Sequence, residues 1–458
     1  MLGNFLLRTA KWLNVIITVE LFSFCWSMHY APELGRLQFA EYIAVVSLLY
    51  MIVIIWLNRI YNALMVGIYR ISQLIYSQSL TVTLSAALAY LVVVVINLRF
   101  VSPLPLIVLV IVQIIWAGFW CVVTNRMYFA LNKPAETVVI YCQDSELKRF
   151  EEIKHFDEKY RVIKYIKAPH DSEQILEELQ DAKVVFASGI EMDLRNALAK
   201  HCIYRGIQCY IQPRIGDIVM AGAEHMQMFS VPIMRVQKAN AKPEYLFIKR
   251  LIDIIASLLA IIITSPFMLI TALAIKLYDH GPVLYKQVRL TKDYKEFKIL
   301  KFRSMRTDAE KDGVAKLSTK NDDRITPIGK IIRKIRFDEL PQLFNILKGD
   351  MTIVGPRPER PEIAAQYEEE IPSFGLRLQV KAGLTGYAQI YGKYNTEPYD
   401  KLKMDLMYIN HMSLIEDLRL MLATVKILFV PESTEGIEGG QTTALHQEAV
   451  EVEELQSV

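Results

Sequence analysis

Four apolar runs, near residues 12–28, 40–57, 80–98 and 104–124, open the chain. Each run is close to the roughly 20 residues that a transmembrane helix needs to cross the hydrocarbon core of a bilayer. The first run is not followed by a small-residue cleavage site, and further apolar runs come after it, so it does not resemble a removable signal peptide. The sequence therefore predicts a four-helix transmembrane region over residues 1–130.

Most basic residues near these runs lie on one side of the membrane. They precede the first run, lie between the second and third runs, and follow the fourth. These residues are Arg8, Lys11, Arg59, Arg70, Arg126 and Lys133. Cytoplasmic loops carry an excess of Lys and Arg, so the N-terminus, the middle loop and everything after residue 125 are expected in the cytoplasm. We predict a multi-pass membrane protein.

Net charge and cysteine spacing indicate which partners and which compartment to expect. The formal net charge of +3 is too small to indicate a nucleic-acid partner. The five cysteines, at positions 25, 121, 142, 202 and 209, contain no Cys-x-x-Cys pair and no metal-binding spacing. An odd, scattered set of this kind favours reduced thiols in a cytoplasmic setting.

Residues 137–240 change character to short apolar strands separated by helical stretches. Strands are predicted near 137–142, 160–166, 184–188 and 207–212, with helices near 145–154, 172–181 and 190–204. This alternation is typical of a small parallel α/β domain of Rossmann-like type. The first turn contains no glycine, so the glycine-rich phosphate-binding fingerprint is absent. We expect a regulatory or assembly role, with this domain a candidate surface for a homodimer.

A further apolar run extends from 251 to 275 and carries Ser265 and Pro266 in its middle. Proline removes a backbone hydrogen bond and kinks a helix, and Ser265 could take up the carbonyl that is left unpaired. Each half of the run is too short to cross a bilayer. Basic residues flank both ends, which predicts a re-entrant helical hairpin that enters one leaflet and returns. The alternative is a straight fifth span, which would carry the following charged domain outside.

The stretch from 333 to 359 carries the candidate chemistry. Apolar residues at helical spacing predict a short helix with Asp338 at its N-cap and Pro341 in its first turn. The helix N-terminus favours negative charge, so Asp338 is expected to be ionised. Arg357 lies between Pro356 and Pro358, where a stiff backbone would hold it for binding phosphate. These features together suggest phosphoryl chemistry. The plainer alternative is that Asp338 only caps a helix and Arg357 makes a surface ion pair.

Residues 244–431 are expected to form a mixed α+β membrane-associated catalytic domain that begins with the re-entrant hairpin. After residue 431 the chain carries seven glutamates and no Lys or Arg. This composition predicts an acidic, disordered tail over residues 432–458.

From about residue 243 to residue 431 the sequence resembles the bacterial sugar transferases, the polyprenyl-phosphate hexose-1-phosphate transferase family. The resemblance rests on ordered motifs over nearly two hundred residues. They are GPVLYKQVR at 281–289, KFRSM at 301–305, DRIT at 323–326, DELPQ at 338–342, GDM at 349–351 and GPRP at 355–358. The front half resembles the long members of the same family.

The resemblance implies transfer of a sugar phosphate from a UDP-sugar to undecaprenyl phosphate, with release of UMP and initiation of an exopolysaccharide, capsule or O-antigen repeat. Asp338 would attack the sugar-bearing phosphate and form a covalent phosphosugar-aspartyl intermediate. Glu339 would act as acid or base, and both carboxylates would hold Mg²⁺. Arg357 would bind phosphate. Further candidates for neutralising the pyrophosphate and UMP are Lys301, Arg303, Arg324 and Arg333.

Two rival functions stay open. A non-catalytic membrane scaffold or regulator of polysaccharide assembly could keep the fold, although it would not need Asp338, Glu339 and Arg357 together. A metal-dependent phosphatase of lipid phosphates would use water as the acceptor. No residue identifies the hexose. UDP-glucose and UDP-galactose are the expected donors, ahead of N-acetylated sugars.

Overall fold

The computed structural model describes residues 2–31, 39–98, 100–144, 146–147, 156–168, 172–239, 241–307, 322, 324–392 and 396–427. The chain divides into two compact units, Met1–Gln212 and Pro213–Val458, and each is described by itself. The predicted acidic tail and most of the helix predicted near 145–154 lie outside the described residues.

Four helices begin the first unit, as the apolar runs predict. They are α1 Leu2–His29, α2 Phe39–Ile60, α3 Ile71–Asn97 and α4 Leu104–Leu131. Aromatic packing joins α1 to α2, where the rings of Phe22 and Tyr50 stack at a centroid distance of 3.8 Å. The buried amide of Gln113 on α4 accepts from Tyr50 Oη at 3.2 Å and donates to the carbonyl of Thr18 at 2.9 Å. The buried amide of Gln113 is therefore paired with groups on two other helices, as an apolar surrounding requires.

A four-stranded parallel sheet completes the first unit. Its strands are β1 Ala135–Tyr141, β2 Tyr160–Lys167, β3 Val184–Ala187 and β4 Gln208–Ile211, in the order β2-β1-β3-β4. The accompanying helices are α5 Phe156–Lys159, α6 Ser172–Glu177 and α7 Met192–Arg205. The predicted α/β region is confirmed. Its Rossmann-like winding stays a prediction, because the connection from β1 to β2 lies partly outside the described residues.

The turn after β1 explains why the glycine-rich fingerprint is dispensable there. Oε2 of Glu146 accepts the backbone N–H groups of Cys142 and Gln143 at 3.0 and 3.2 Å. In a glycine-rich turn, N–H groups at this position bind a phosphate. Here the chain's own carboxylate occupies them.

The second unit mixes helices and short strands. Its helices are α8 Ile215–Ala221, α9 Pro243–Asp279, α10 Pro327–Lys334, α11 Gln342–Lys348, α12 Pro361–Glu370, α13 Tyr387–Tyr391, α14 Pro398–Asn410 and α15 Leu414–Ile427. Its strands form two antiparallel pairs, β5 Glu224–Met228 with β6 Val231–Arg235 and β7 Leu284–Leu290 with β8 Glu296–Phe302, and one parallel pair, β9 Thr352–Val354 with β10 Gly383–Thr385. Three 3-10 turns, Lys292–Tyr294, Phe337–Glu339 and Phe374–Gln379, connect them.

Helix α8 belongs to the core of this second unit. Its Ile218 is 5% exposed and lies in one apolar cluster with Leu402 and Leu406 of α14. Nδ2 of Asn410 donates to the carbonyl of Ile218 at 2.5 Å. Residues 213–221 therefore pack with the charged, mixed region that the sequence predicts from residue 244 onward.

Helix α9 runs without interruption from Pro243 to Asp279 and contains Pro266. The sequence predicts a hairpin with two helical arms here. The structure has one helix in their place, so the two separate arms are not confirmed. Ser265 Oγ donates at 2.9 Å to the carbonyl of Ile262, which is the group that lacks the N–H of Pro266. This replacement hydrogen bond lets the helix continue past the proline. By length and composition, four described helices could cross a membrane, α2, α3, α4 and α9.

Candidate active site

Asp338 and Glu339 lie on the 3-10 turn Phe337–Glu339, between α10 and α11. The turn is closed by the N–H of Leu340, which donates to the carbonyl of Phe337 at 3.2 Å. Helix α11 begins only at Gln342, with Pro341 at its N-cap position. The predicted N-cap role of Asp338 is therefore wrong, because the residues around it form their own tighter turn before the helix starts.

Two cations from distant parts of the sequence meet at Glu339. Lys301 Nζ, on β8, lies 3.0 Å from Glu339 Oε1, and Arg357 Nη2, after β9, lies 2.9 Å from the same oxygen. The Glu339 side chain is 12% exposed and that of Arg357 is 42% exposed. The structure thus brings together four of the predicted site residues, Asp338, Glu339, Lys301 and Arg357, with Arg357 still open to solvent.

The two adjacent carboxyl groups have opposite pKa shifts. Burial raises the pKa of Asp338, and the charge of Lys301 opposes that change only in part. Burial would also raise the pKa of Glu339, but the charges of Lys301, Arg357 and Arg336 together hold the pKa of Glu339 well below its usual range. A helix N-terminus would have lowered the pKa of Asp338. The firmly ionised carboxylate is therefore Glu339.

The remaining predicted cations divide into two groups. Arg333, on α10, is close enough for its charge to act on Asp338 and favour the ionised carboxylate. Arg303 pairs with Asp279 at the end of α9, and Arg324 Nη2 lies 2.6 Å from Asp322 Oδ2. Asp323 of the same motif lies outside the described residues. Arg303 and Arg324 thus have carboxylate partners of their own that are not the Asp338 and Glu339 pair.

The sequence analysis missed Arg336, whose charge acts on Asp338 and Glu339. Its backbone has φ 54°, in the left-handed region that a non-glycine residue rarely adopts. Burial lowers the pKa of Arg336, which reflects a guanidinium enclosed beside the two carboxylates. Its place two residues before Asp338 in the RFDE sequence was the available signal. Unusual backbone conformations of this kind are concentrated at functional sites.

Asp338 and Glu339 could supply two carboxylates to a Mg²⁺ ion that is also bound by substrate phosphates. Among the described residues, no group of three or more His, Cys, Asp or Glu side chains could hold a metal ion. Mg²⁺ is commonly bound by only one or two carboxylates together with substrate phosphates and water. The donor set therefore fits an ion shared with a phosphorylated substrate better than an ion held by protein alone.

Residues 244–431 match the family model described as bacterial sugar transferase. The chain is 43% identical over 189 residues to a UDP-N-acetylgalactosamine-undecaprenyl-phosphate N-acetylgalactosaminephosphotransferase of Aeromonas hydrophila, covering 41% of this chain and 44% of that protein. It is 41% identical over 208 residues to a UDP-glucose:undecaprenyl-phosphate glucose-1-phosphate transferase of Klebsiella pneumoniae, covering 44% of each chain.

A shorter relative is matched almost throughout. The exopolysaccharide production protein PSS of Rhizobium leguminosarum bv. phaseoli is 43% identical over 202 residues, which are 42% of this chain and 98% of that protein. By contrast, the matched region spans under half the length of the Aeromonas and Klebsiella proteins. The similarity is thus concentrated in the part of the chain that contains Asp338 and Glu339.

Proposed function

The chain belongs to the bacterial sugar transferase family, and we propose that it transfers a hexose 1-phosphate from a UDP-sugar to undecaprenyl phosphate with release of UMP. The product, an undecaprenyl-diphospho-sugar, would begin an exopolysaccharide, capsule or O-antigen repeat. The observation that carries the proposal is the cluster of Asp338 and Glu339 with Lys301 and Arg357, which combines a nucleophile with groups that bind phosphate.

The transfer proceeds in two displacement steps at the same phosphorus. A carboxylate oxygen of Asp338 attacks the phosphorus that carries the sugar, and the bond from that phosphorus to the UMP oxygen breaks, so that UMP leaves with the electron pair. An oxygen of undecaprenyl phosphate then attacks the same phosphorus and releases the Asp338 carboxylate. Each step exchanges one P–O bond for another, as in other covalent mechanisms with carboxylate nucleophiles.

The other charged groups serve the phosphates. Glu339 holds Lys301 and Arg357 beside Asp338, at 3.0 and 2.9 Å from its Oε1. A guanidinium has five N–H donors, so Arg357 can keep one on Glu339 while others bind phosphate oxygens. Arg333 adds positive charge near Asp338 and favours its ionised form. Mg²⁺, held by Asp338 and Glu339, would supply further positive charge to the phosphate oxygens.

Helix α9 supports the view that this unit sits on one face of the bilayer. Arg250, near its start, donates to the carbonyl of Ile346 at 2.6 Å, and Asp279, at its end, pairs with Arg303. Both ends of α9 thus contact the same charged unit. A crossing helix would separate its ends by the hydrocarbon core, about 30 Å thick. We therefore place α9 in one leaflet as a re-entrant segment, with the catalytic unit at the cytoplasmic face of the inner membrane.

A UMP-release assay with undecaprenyl phosphate tests the function. The donor panel contains UDP-glucose, UDP-galactose and UDP-N-acetylgalactosamine, because no residue identifies the hexose and the names of relatives include glucose and N-acetylgalactosamine. We expect UMP and a lipid-linked sugar with at least one donor. No UMP from any donor would favour a scaffold, and free sugar phosphate without lipid product would favour a phosphatase.

A further inference from the structure

We propose that Arg377 and Asp405 are positioning residues that fix Arg357 for phosphate binding. The inference rests on the proposed function, because it gives Arg357 its phosphate. Arg377 lies on the 3-10 turn Phe374–Gln379 and Asp405 on α14, and neither belongs to the motifs that carry the family resemblance. Their side chains are 4% and 1% exposed, so neither touches substrate directly.

The carbonyl groups of residues 357, 358 and 359 each accept a hydrogen bond, one from the 3-10 turn Phe374–Gln379 and two from β7. Arg377 Nη2 donates to the carbonyl of Arg357 at 2.9 Å, and Arg289 Nη1 donates to the carbonyl of Pro358 at 3.2 Å. The N–H of Leu290 donates to the carbonyl of Glu359 at 2.9 Å. The backbone that carries Arg357 is therefore fixed on its carbonyl side although it belongs to no strand.

The residues just before Arg357 are held in the same way. The N–H of Gly383 donates to the carbonyl of Pro356 at 2.8 Å, and the N–H of Gly355 donates to the carbonyl of Thr385 at 2.8 Å. The backbone at Gly355 packs so closely against the backbone at Lys381 that a Cβ on Gly355 would lie 2.5 Å from the Lys381 carbonyl oxygen. Since the backbone is fixed on both sides, the exposed Arg357 side chain starts from a defined position.

Arg377 is itself held by carboxylates. Its Nη2 lies 2.7 Å from Asp405 Oδ2, and its Nη1 lies 3.6 Å from Glu359 Oε1. Glu359 Oε2 in turn lies 3.7 Å from Arg289 Nη1, so its carboxylate bridges the two arginines. A buried ion pair is weak evidence for stability, since apolar residues of similar volume often do as well. A guanidinium is needed, however, for contacts from two nitrogens. Nη2 pairs with Asp405 and binds the carbonyl of Arg357, while Nη1 faces Glu359.

The first arm of the test measures hydrogen exchange in the full-length chain in detergent, and it requires no substrate. Arg377→Lys keeps the charge but has a single nitrogen on a flexible stem, so it cannot face Asp405 and Glu359 from two fixed nitrogens as the guanidinium does. Asp405→Asn keeps the shape and removes the charge. The N–H groups of Gly355, Gly383 and Leu290 make the backbone hydrogen bonds of this segment. We expect the exchange of these three amides to rise about tenfold in each variant, because the segment opens more often when a hydrogen bond to a charged group is lost.

The matched control is Asp400→Asn with Lys403→Gln. This pair lies on the same helix as Asp405, with Nζ and Oδ1 2.8 Å apart and the Lys403 side chain 8% exposed. It has no part in the hydrogen bonds of residues 355–359 described above. In this double variant we expect the Gly355, Gly383 and Leu290 amides to exchange as they do in the unmodified chain.

The second arm measures UMP release. For Arg377→Lys and Asp405→Asn we expect kcat/KM for the UDP-sugar to fall about tenfold to a hundredfold, mostly through a higher KM. A merely structural role would lower the folded fraction and therefore the apparent kcat, leaving the KM unchanged. The control double variant should keep the KM of the unmodified chain.

The two arms separate the failure of this inference from the failure of the proposed function. Unchanged exchange of the Gly355, Gly383 and Leu290 amides in a folded Arg377→Lys or Asp405→Asn chain overturns the positioning role, whatever the activity. Raised exchange with an unchanged donor KM overturns the link to phosphate binding. If the unmodified chain releases no UMP, the proposed function fails, while the exchange arm still decides whether Arg377 and Asp405 hold the segment.

Discussion

Arg377 Nη2 and Asp405 Oδ2 lie 2.7 Å apart in a pair whose side chains are 4% and 1% exposed. Burial raises the pKa of Asp405 to about 6, although Arg377 favours the ionised form. Glu359 acts in the same direction as burial, and Lys401 acts against it. The carboxylate that orients Arg377 therefore loses its charge in a mildly acidic solution.

This shift predicts opposite effects of acid on stability and on donor binding. The folded state binds a proton at Asp405 between about pH 6 and the ordinary pKa of 3.8, where the unfolded chain does not. Stability from this group is therefore greatest below that window and is lost as the pH rises through it, by about 3 kcal/mol in all. The unfolding midpoint of the unmodified chain relative to Asp405→Asn should rise on acidification.

Donor binding should change the other way. Below about pH 6 the neutral Asp405 holds Arg377 less firmly, so the donor KM of the unmodified chain should increase. The KM of Asp405→Asn should be high and should not change further through this group. Parallel KM curves for the two proteins would contradict the assignment.

The regular elements of the fold follow closely from the sequence. The strands predicted near 160–166 and 184–188 correspond to β2 Tyr160–Lys167 and β3 Val184–Ala187. Most of β3 is buried, and β2 buries Ile166, while the runs of apolar residues that predict both strands are local features of the sequence.

The site was only partly predictable, because its charges pair over long separations. Adjacency in the chain gives no reason for Lys301 and Arg357 to meet at Glu339 rather than at its neighbour Asp338. That choice depends on how β8 and the segment after β9 pack against the turn. Arg377 and Asp405 are separated in sequence and resemble ordinary surface charges until the fold buries them.

Helix α8 predicts where the chain can be shortened. A variant that begins at Pro213 keeps Ile218 in its cluster with Leu402 and Leu406, whereas one that begins at Lys242 removes it. We expect the first variant to release UMP in detergent. The second should be less stable by about 2–5 kcal/mol, the usual cost of emptying such a buried site.

Unfolding midpoints and UMP release per folded molecule check both variants. Ile218→Ala in the full-length chain is the matched comparison, since it empties the same site without shortening the chain. A folded but inactive variant from Pro213 would mean that the first unit completes the active site.

The proline of α9 predicts a change in membrane topology. Pro266→Leu restores the missing backbone N–H and makes the Ser265 hydrogen bond unnecessary, so that the apolar run from 251 to 275 can form a straight helix about 37 Å long, enough to span. A cysteine at position 286 should then become partly accessible to a membrane-impermeant thiol reagent from outside. Ser265→Ala keeps the proline and should stay labelled from inside only.

Labelling of the chain without the Lys286→Cys change gives the background from its own five cysteines. Inside-only labelling of Pro266→Leu would show that the flanking basic residues fix the topology without the proline.

The nucleophile can be tested apart from folding, because the Asp338 carboxylate caps no helix. Asp338→Asn keeps the shape of the side chain, and it removes a charge whose burial already raises the pKa of Asp338. We therefore expect the variant to fold with undiminished stability, while its rate falls by several orders of magnitude because a covalent step has lost its attacking group. Incubation with radiolabelled UDP-sugar and no lipid should leave label on the unmodified chain and none on Asp338→Asn. Asp400→Asn, an acid on α14 that takes no part in the site, should keep the label. Equal labelling of Asp338→Asn, or a rate near that of the unmodified chain, would transfer the nucleophile to another group and leave Asp338 an electrostatic role.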